Sequence, residues 1–269
     1  MQDAEGPTSE TRAGSESGGV PSQAAPRRVD ILGIGFDRLD LDAAVDRIAQ
    51  RHATGARTFV ITANPEFVML ARRDPVLAAI ARTADLVVAD GTGVLVASRI
   101  LGDPLPGRVP GRLLVDALLA RIAPTGGPVF FLGASPGIAE LAADAAKRRV
   151  PSLRVAGAYA GSPLPVDDPS ARARIAEAAT DVLLVAYGMP AQERWIARNL
   201  PHLESVRLAI GVGGVFDQLA GRVRVPPRFV HAIGFEWLWR LAFEPRRWRR
   251  QRALPVFVAL VLRARVRGR

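Results

Sequence analysis

The chain has 269 residues, 49% of them hydrophobic, enough for one large α/β core or two small ones. It contains no cysteine, which excludes disulfides and thiolate metal sites, and His52, His202 and His231 stand too far apart for a structural zinc site. The net charge of +10 is confined to one segment: from Arg222 onward 13 arginines face only Glu236 and Glu244, so a partner attracted by charge meets the C-terminal part alone.

Residues 1–28 are rich in Ser, Gly, Thr, Ala, Pro and Gln, lack the apolar stretch of a signal peptide, and are expected to form a disordered tail. Val29 to Phe36 reads as a strand. Asp40 to His52 reads as a helix with Leu41, Ala44, Val45 and Ile48 on one face. Asp40 is its expected N-cap; Asp40-Leu41-Asp42 also spells a metal-nucleotide D-x-D, but at a helix start capping is the better explanation.

The stretch from Thr58 to Thr92 organises the rest. Two short apolar runs, Thr58 to Ile61 and Asp85 to Ala89, have strand character; the first stops at Thr62, Asn64 and Glu66, the second at Asp90 and Gly91. Ligands of open α/β sheets bind at the carboxyl ends of strands, which is where these polar residues fall. On local residues alone, Asn64-Pro65 and Asp90-Gly91 read better as turn formers that cap the helices after them.

Further on, a helix is expected over Gly91 to Leu101, a Gly/Pro-rich loop carries Arg108, and Arg112 to about Ala123 is helical. Strand Pro128 to Leu132 leads through a Gly133–Gly137 turn into a helix over Ile138 to Arg149. A strand near Leu153 to Tyr159, a helix across Ser170 to Ala179, strand Asp181 to Ala186, a Gly188-Met189-Pro190 turn and a helix through Trp195 follow. A last strand, Arg207 to Ile210, runs into Gly211-Val212-Gly213-Gly214. This alternation predicts an α/β fold over 29–221, a Rossmann-like, mostly parallel sheet with helices on both faces. The glycine turns at Gly133 and Gly213 have the geometry that favours a nucleotide diphosphate, though glycine in such turns also serves tight packing.

Residues 222–269 are different in kind. Phe235, Leu238, Trp239, Ala242 and Phe243 form a helical stripe, Arg246-Arg247-Trp248-Arg249-Arg250 follows Pro245, and Ala253 to Leu262 is apolar but too short to cross a bilayer. A basic, tryptophan-bearing amphipathic segment suits a membrane interface, and this appendage is expected to bind an anionic membrane surface. The stripe has three partners open to it: the enzyme's own body, a second copy, or lipid.

The ordered blocks Thr62-x-Asn64-x-Glu66, Ala89-Asp90-Gly91-x-Gly93, Arg108-Val109-x-Gly111, Phe131-Leu132-Gly133-Ala134, Gly188-x-Pro190-x-Gln192-Glu193, Gly211-Val212-Gly213-Gly214-x-Phe216-Asp217 and Glu236-Trp237-Leu238-x-Arg240-Leu241 resemble the WecG/TagA/CpsF glycosyltransferases over about residues 29–250. The resemblance implies an inverting, metal-independent hexosyltransferase without cofactor, peripheral to the inner face of the plasma membrane. Such an enzyme moves N-acetylmannosamine, its uronic acid or a related hexose from a UDP-sugar to a polyprenyl-diphosphate-linked saccharide in cell-surface polysaccharide, teichoic acid or exopolysaccharide synthesis. On matching positions it makes Asp90 the general base, with Thr62 and Gln192 catalytic beside it. Asn64 then holds sugar, Arg108 a diphosphate, and Gly133, Gly213 and Asp217 the nucleotide; Arg240, Arg246 and Arg247 are the appendage's candidates for the leaving diphosphate. Arg112, Ala160-Gly161-Ser162-Pro163 and Val225-Pro226-Pro227 depart from the family pattern and bear on substrate identity. The alternative reading is a non-catalytic module whose arginines and Trp237, Trp239 and Trp248 grip nucleic acid; the absence of a nucleic-acid fold signature weighs against it.

Overall fold

Apolar runs at period two and period 3.6 alternate along this chain, and helices begin at short polar side chains such as Asp40, Asn64 and Asp74, at prolines, or at glycine turns. The computed structural model describes residues 28–223 and 253–268. In chain order the elements are β1 (Val29–Ile31), β2 (Ile34–Phe36), α1 (Leu41–Ala53), β3 (Thr58–Ala63), α2 (Pro65–Ala71), α3 (Pro75–Thr83), β4 (Leu86–Ala89), α4 (Thr92–Ile100), α5 (Gly111–Ile122), β5 (Val129–Gly133), α6 (Ile138–Arg149), β6 (Val155–Tyr159), α7 (Asp168–Glu177), β7 (Val182–Ala186), α8 (Ala191–Asn199), β8 (Leu208–Gly211), α9 (Val215–Leu219) and α10 (Ala253–Val266).

Six strands form one sheet in the order β4-β3-β8-β7-β5-β6, and every pairing in it is parallel. β3, β4, β5, β7 and β8 are buried along their whole length, as expected of strands covered on both faces. One core lies under α1, α5, α6 and α9; the other lies under α2, α3, α4, α7, α8 and α10. The chain leaves β5 toward β6 on one side and β7 toward β8 on the other, so the β5/β7 boundary is a switch point of the sheet.

The single strand expected over Val29–Phe36 is instead an antiparallel hairpin turned at Leu32 and Gly33, both at positive φ. It closes the β4 edge: Asp37 N–H donates to Val87 O at 2.9 Å, and Asp37 Oδ2 accepts from Val87 N–H at 2.7 Å. Asp40 caps α1 by accepting from Ala43 N–H, which settles its D-x-D as a helix start. At the amino end of the sheet, Asp181 is buried between His52 Nε2 at 2.7 Å and Arg207 Nε at 2.6 Å. Burial alone would raise its carboxyl; hydrogen bonds from His52 and Arg207 outweigh that and hold it below the usual range.

The run expected at Ala253 to Leu262 is a longer helix, and it is docked on the domain. Phe257 and Val261, four residues apart, are buried in the core against α2 and α4. Val256, Val258, Leu262 and Val266 face outward, and among the described residues no helix is long and apolar enough to cross a membrane.

Candidate active site

The register brings the strand ends level. Ala63 pairs with Ala89, Ile61 with Gly211, Gly211 with Val185, and Ala186 with Gly133. Thr62, Asn64, Asp90, Gly213, Gln192 and Gly133 therefore share the carboxyl edge of one sheet. The loops after β3 and β4 are joined as well: Asp90 N–H donates to Ala63 O at 2.8 Å, and a Cβ on Gly93 would come within 2.6 Å of the Pro65 ring. Val109 N–H donates to Ala89 O at 2.7 Å, which brings the Arg108 loop back beside Asp90.

The two turns that look alike in sequence behave differently. Asn64 does cap α2, its Oδ1 accepting from Phe67 N–H at 2.9 Å, so the cap uses its oxygen and not its Nδ2. At α4 the N-cap position falls to Gly91, at φ 104°, which has no side chain to cap with. Val60 and Val88 belong to the core under α5, so strand alternation puts Thr62 and the Asp90 position on that same side. There Thr62 Oγ1 donates to Gly211 O at 3.1 Å, and Gly111, at the start of α5, lies close enough that a Cβ on it would touch the hydroxyl at 3.7 Å.

Gln192 opens α8 and reaches across to β8. Its Oε1 accepts from Gly213 N–H at 2.9 Å, and its Nε2 donates to Glu193 Oε1 at 2.8 Å. Glu193 is 1% exposed, and among the described residues its other oxygen has no hydrogen-bond partner. Burial lifts this carboxyl from 4.5 to about 7, the hydrogen bond from Gln192 opposing the rise.

Across the switch point, Gly133 stands at φ 108°, where a Cβ would come within 2.8 Å of the Ala186 carbonyl carbon; only glycine lets β5 end there. The turn delivers α6, whose N-cap Gly137 supplies no side-chain cap; Ile138 N–H donates to Ser135 O at 3.0 Å, and the helix N-terminus has the polarity that favours an anion. Asp217 lies in the first turn of α9, directly after the Gly213 turn.

One family model, described as the glycosyl transferase WecG/TagA/CpsF family, matches residues 29–269. The chain belongs to that family. It is 35% identical over 205 residues to the N-acetylglucosaminyldiphosphoundecaprenol N-acetyl-beta-D-mannosaminyltransferase of Bacillus spizizenii, covering 76% of this chain and 79% of the relative. Proteins of the same name from Staphylococcus aureus strains MRSA252 and NCTC 8325 are each 31% identical over 248 residues, covering 91% of this chain and 96% of theirs.

In this family member the blocks at Thr62, Asn64, Asp90, Arg108, Gln192 and Gly213 come together on the carboxyl edge, with Gly133 across the β5/β7 boundary. Arg240, Arg246 and Arg247 and the stripe at 235–243 lie outside the described residues. Glu193 and Gly111 stand in the sequence blocks but were not among the site residues expected from them. The signal for Glu193 was available: Gln192, Glu193, Trp195, Ile196 and Asn199 form the buried stripe of α8, so its carboxylate had to be inside.

Proposed function

We propose that this glycosyltransferase moves an N-acetylmannosamine-type sugar from its UDP donor onto a polyprenyl-diphosphate-linked saccharide, with inversion, at the cytoplasmic face of the membrane. The observation that carries the reading is the meeting of Asp90 with Thr62 and Asn64 at two neighbouring strand ends: β3 and β4 pair in parallel, and Asp90 N–H is bonded to Ala63 O.

Asp90 takes the proton from the acceptor hydroxyl as its oxygen attacks the anomeric carbon; the bond from that carbon to UDP breaks, and its electron pair leaves on the diphosphate. Thr62 and Asn64 hold the sugars over Asp90. The charge that develops on UDP is met by the α6 N-terminus, by Arg108 and by arginines of the C-terminal segment. Gln192 acts on the donor side by holding the Gly213 turn, with Asp217 next to it.

A lipid-linked acceptor requires the enzyme to work at a surface. The outward Val256, Val258, Leu262 and Val266 of α10, with Arg263 and Arg265 in its last turn, support membrane docking through this end of the chain. Retention on anionic vesicles but not on neutral ones is expected, and equal recovery from both would remove the electrostatic part of that docking.

The decisive assay measures UDP release from UDP-N-acetylmannosamine with and without a polyprenyl-diphosphate N-acetylglucosamine acceptor. Release should require acceptor and should fall by about 10²–10⁴ in Asp90→Asn. Wild-type turnover in that variant would remove Asp90 as the base.

A further inference from the structure

Gln192 is held from three sides. Gly213 N–H donates to its Oε1, Glu193 Oε1 accepts from its Nε2, and Gly211 lies so close that a Cβ there would stand 2.7 Å from Nε2. A carboxamide has two nearly isosteric orientations that exchange oxygen for nitrogen. Only one offers an acceptor to Gly213 N–H, and that same one offers an N–H to Glu193. Without the carboxyl, Gly213 alone decides the orientation.

Glu193 is also an expensive residue in its place. It is 1% exposed, one oxygen has no hydrogen-bond partner among the described residues, and its neighbours on the stripe are Trp195 and Ile196. Packing alone would be served better by an apolar side chain of the same length, which strands no polar atom. What an apolar side chain lacks is the acceptor.

We propose that Glu193 is a positioning residue of the transfer centre: it holds the Gln192 carboxamide in the orientation that pins the β8 turn at Gly213, and so keeps the donor-side wall of the site in shape. Protonation suits this role. Below about pH 7 the acid is neutral, and a neutral carboxyl still has an oxygen that can accept from Gln192 Nε2. The kinetic consequence rests on the transferase reading given above; the structural consequence does not.

The test compares Glu193→Met, which fills the space without an acceptor, with Glu193→Gln, which restores one. Hydrogen exchange of the Gly213 amide, followed by NMR, should speed up by about tenfold in Glu193→Met and return to within about threefold of wild type in Glu193→Gln. With UDP-N-acetylmannosamine and the polyprenyl-diphosphate acceptor, donor KM should rise by about tenfold in Glu193→Met with kcat within about threefold, and Glu193→Gln should recover it. Unchanged Gly213 protection in Glu193→Met, or a Glu193→Gln variant as impaired as Glu193→Met, overturns the positioning role. Faster Gly213 exchange with an unchanged donor KM overturns its kinetic part. If Gly213 responds as expected while the wild-type protein transfers no sugar to any acceptor, the transferase reading fails and the positioning role stands.

Discussion

Replacing Glu193 by Gln should shift stability in the variant's favour as the pH rises from acid to alkali. Glu193 has its carboxyl raised from 4.5 to about 7 by burial, so the folded protein keeps this proton over a pH range where the unfolded chain has lost it. Stability from this group is therefore fully present below about pH 4.5, declines as pH rises, and levels off above about pH 7. Each pH unit between the two values is worth about 1.4 kcal/mol, so ionisation of Glu193 costs the fold about 3 kcal/mol. The glutamine variant escapes that cost and keeps an acceptor for Gln192 Nε2. It also leaves an amide N–H₂ where Oε2 has no hydrogen-bond partner among the described residues, a penalty of about 1–3 kcal/mol that does not vary with pH. The net sign at any one pH is set by these two opposing terms, but the change in their difference is not: between about pH 4 and pH 8.5 the variant should gain about 3 kcal/mol relative to wild type. Urea denaturation of both proteins at several pH values measures this directly. A stability difference that stays flat across the range would show that Glu193 ionises inside as it does outside, and the account of its burial would be wrong.

Thr62→Val keeps the shape and removes only the bond to Gly211 O; it should cost about 1 kcal/mol in denaturation yet lower sugar transfer by about tenfold or more, and unchanged transfer would make the hydroxyl a strand tie alone. Gly133→Ala puts a Cβ against the Ala186 backbone at a φ of 108°, so a loss of about 3 kcal/mol or failure to fold is expected, and a near-neutral melting temperature would contradict it. Asp181 carries a depressed carboxyl, so its contribution is present above the ordinary value and is lost as pH falls through the lower folded value. Asp181→Asn should therefore cost about 3 kcal/mol at pH 7, with the gap to wild type narrowing below about pH 4 in urea titrations. Phe257→Ala should cost about 3–5 kcal/mol if α10 is part of the core, and a loss below about 1 kcal/mol would mean that α10 is dispensable to it.

Sequence patterns revealed periodicity well and pairing poorly. The helix over Ile138–Arg149 was legible to its ends because glycines precede it and basic residues fill its last turn. The Val29–Phe36 hairpin was not, since two three-residue strands alternate as one strand does, and Leu32 at positive φ sends no turn signal. Asn64-Pro65 and Asp90-Gly91 are equivalent as turn dipeptides; what separates them is that Asn64 reaches Phe67 N–H while Gly91 takes the cap position from Asp90. That Thr62 and Asp90 share a side follows from β3 and β4 being neighbours, a long-range fact no local pattern carries. The sequence singles out Gln192, but its partners are Glu193 beside it on α8 and Gly213 in the turn after β8, and only the three-dimensional fold brings Gly213 to it.

The last described helix rests on α2 and α4, and those are the helices that start at Asn64 and beside Asp90. During synthesis the sheet and both strand ends emerge first, and Phe257 and Val261 arrive last to fill the niche behind them. The loops that carry the proposed base are thus backed only once the basic C-terminal segment has been made, which ties completion of that edge to the segment proposed to dock on the membrane.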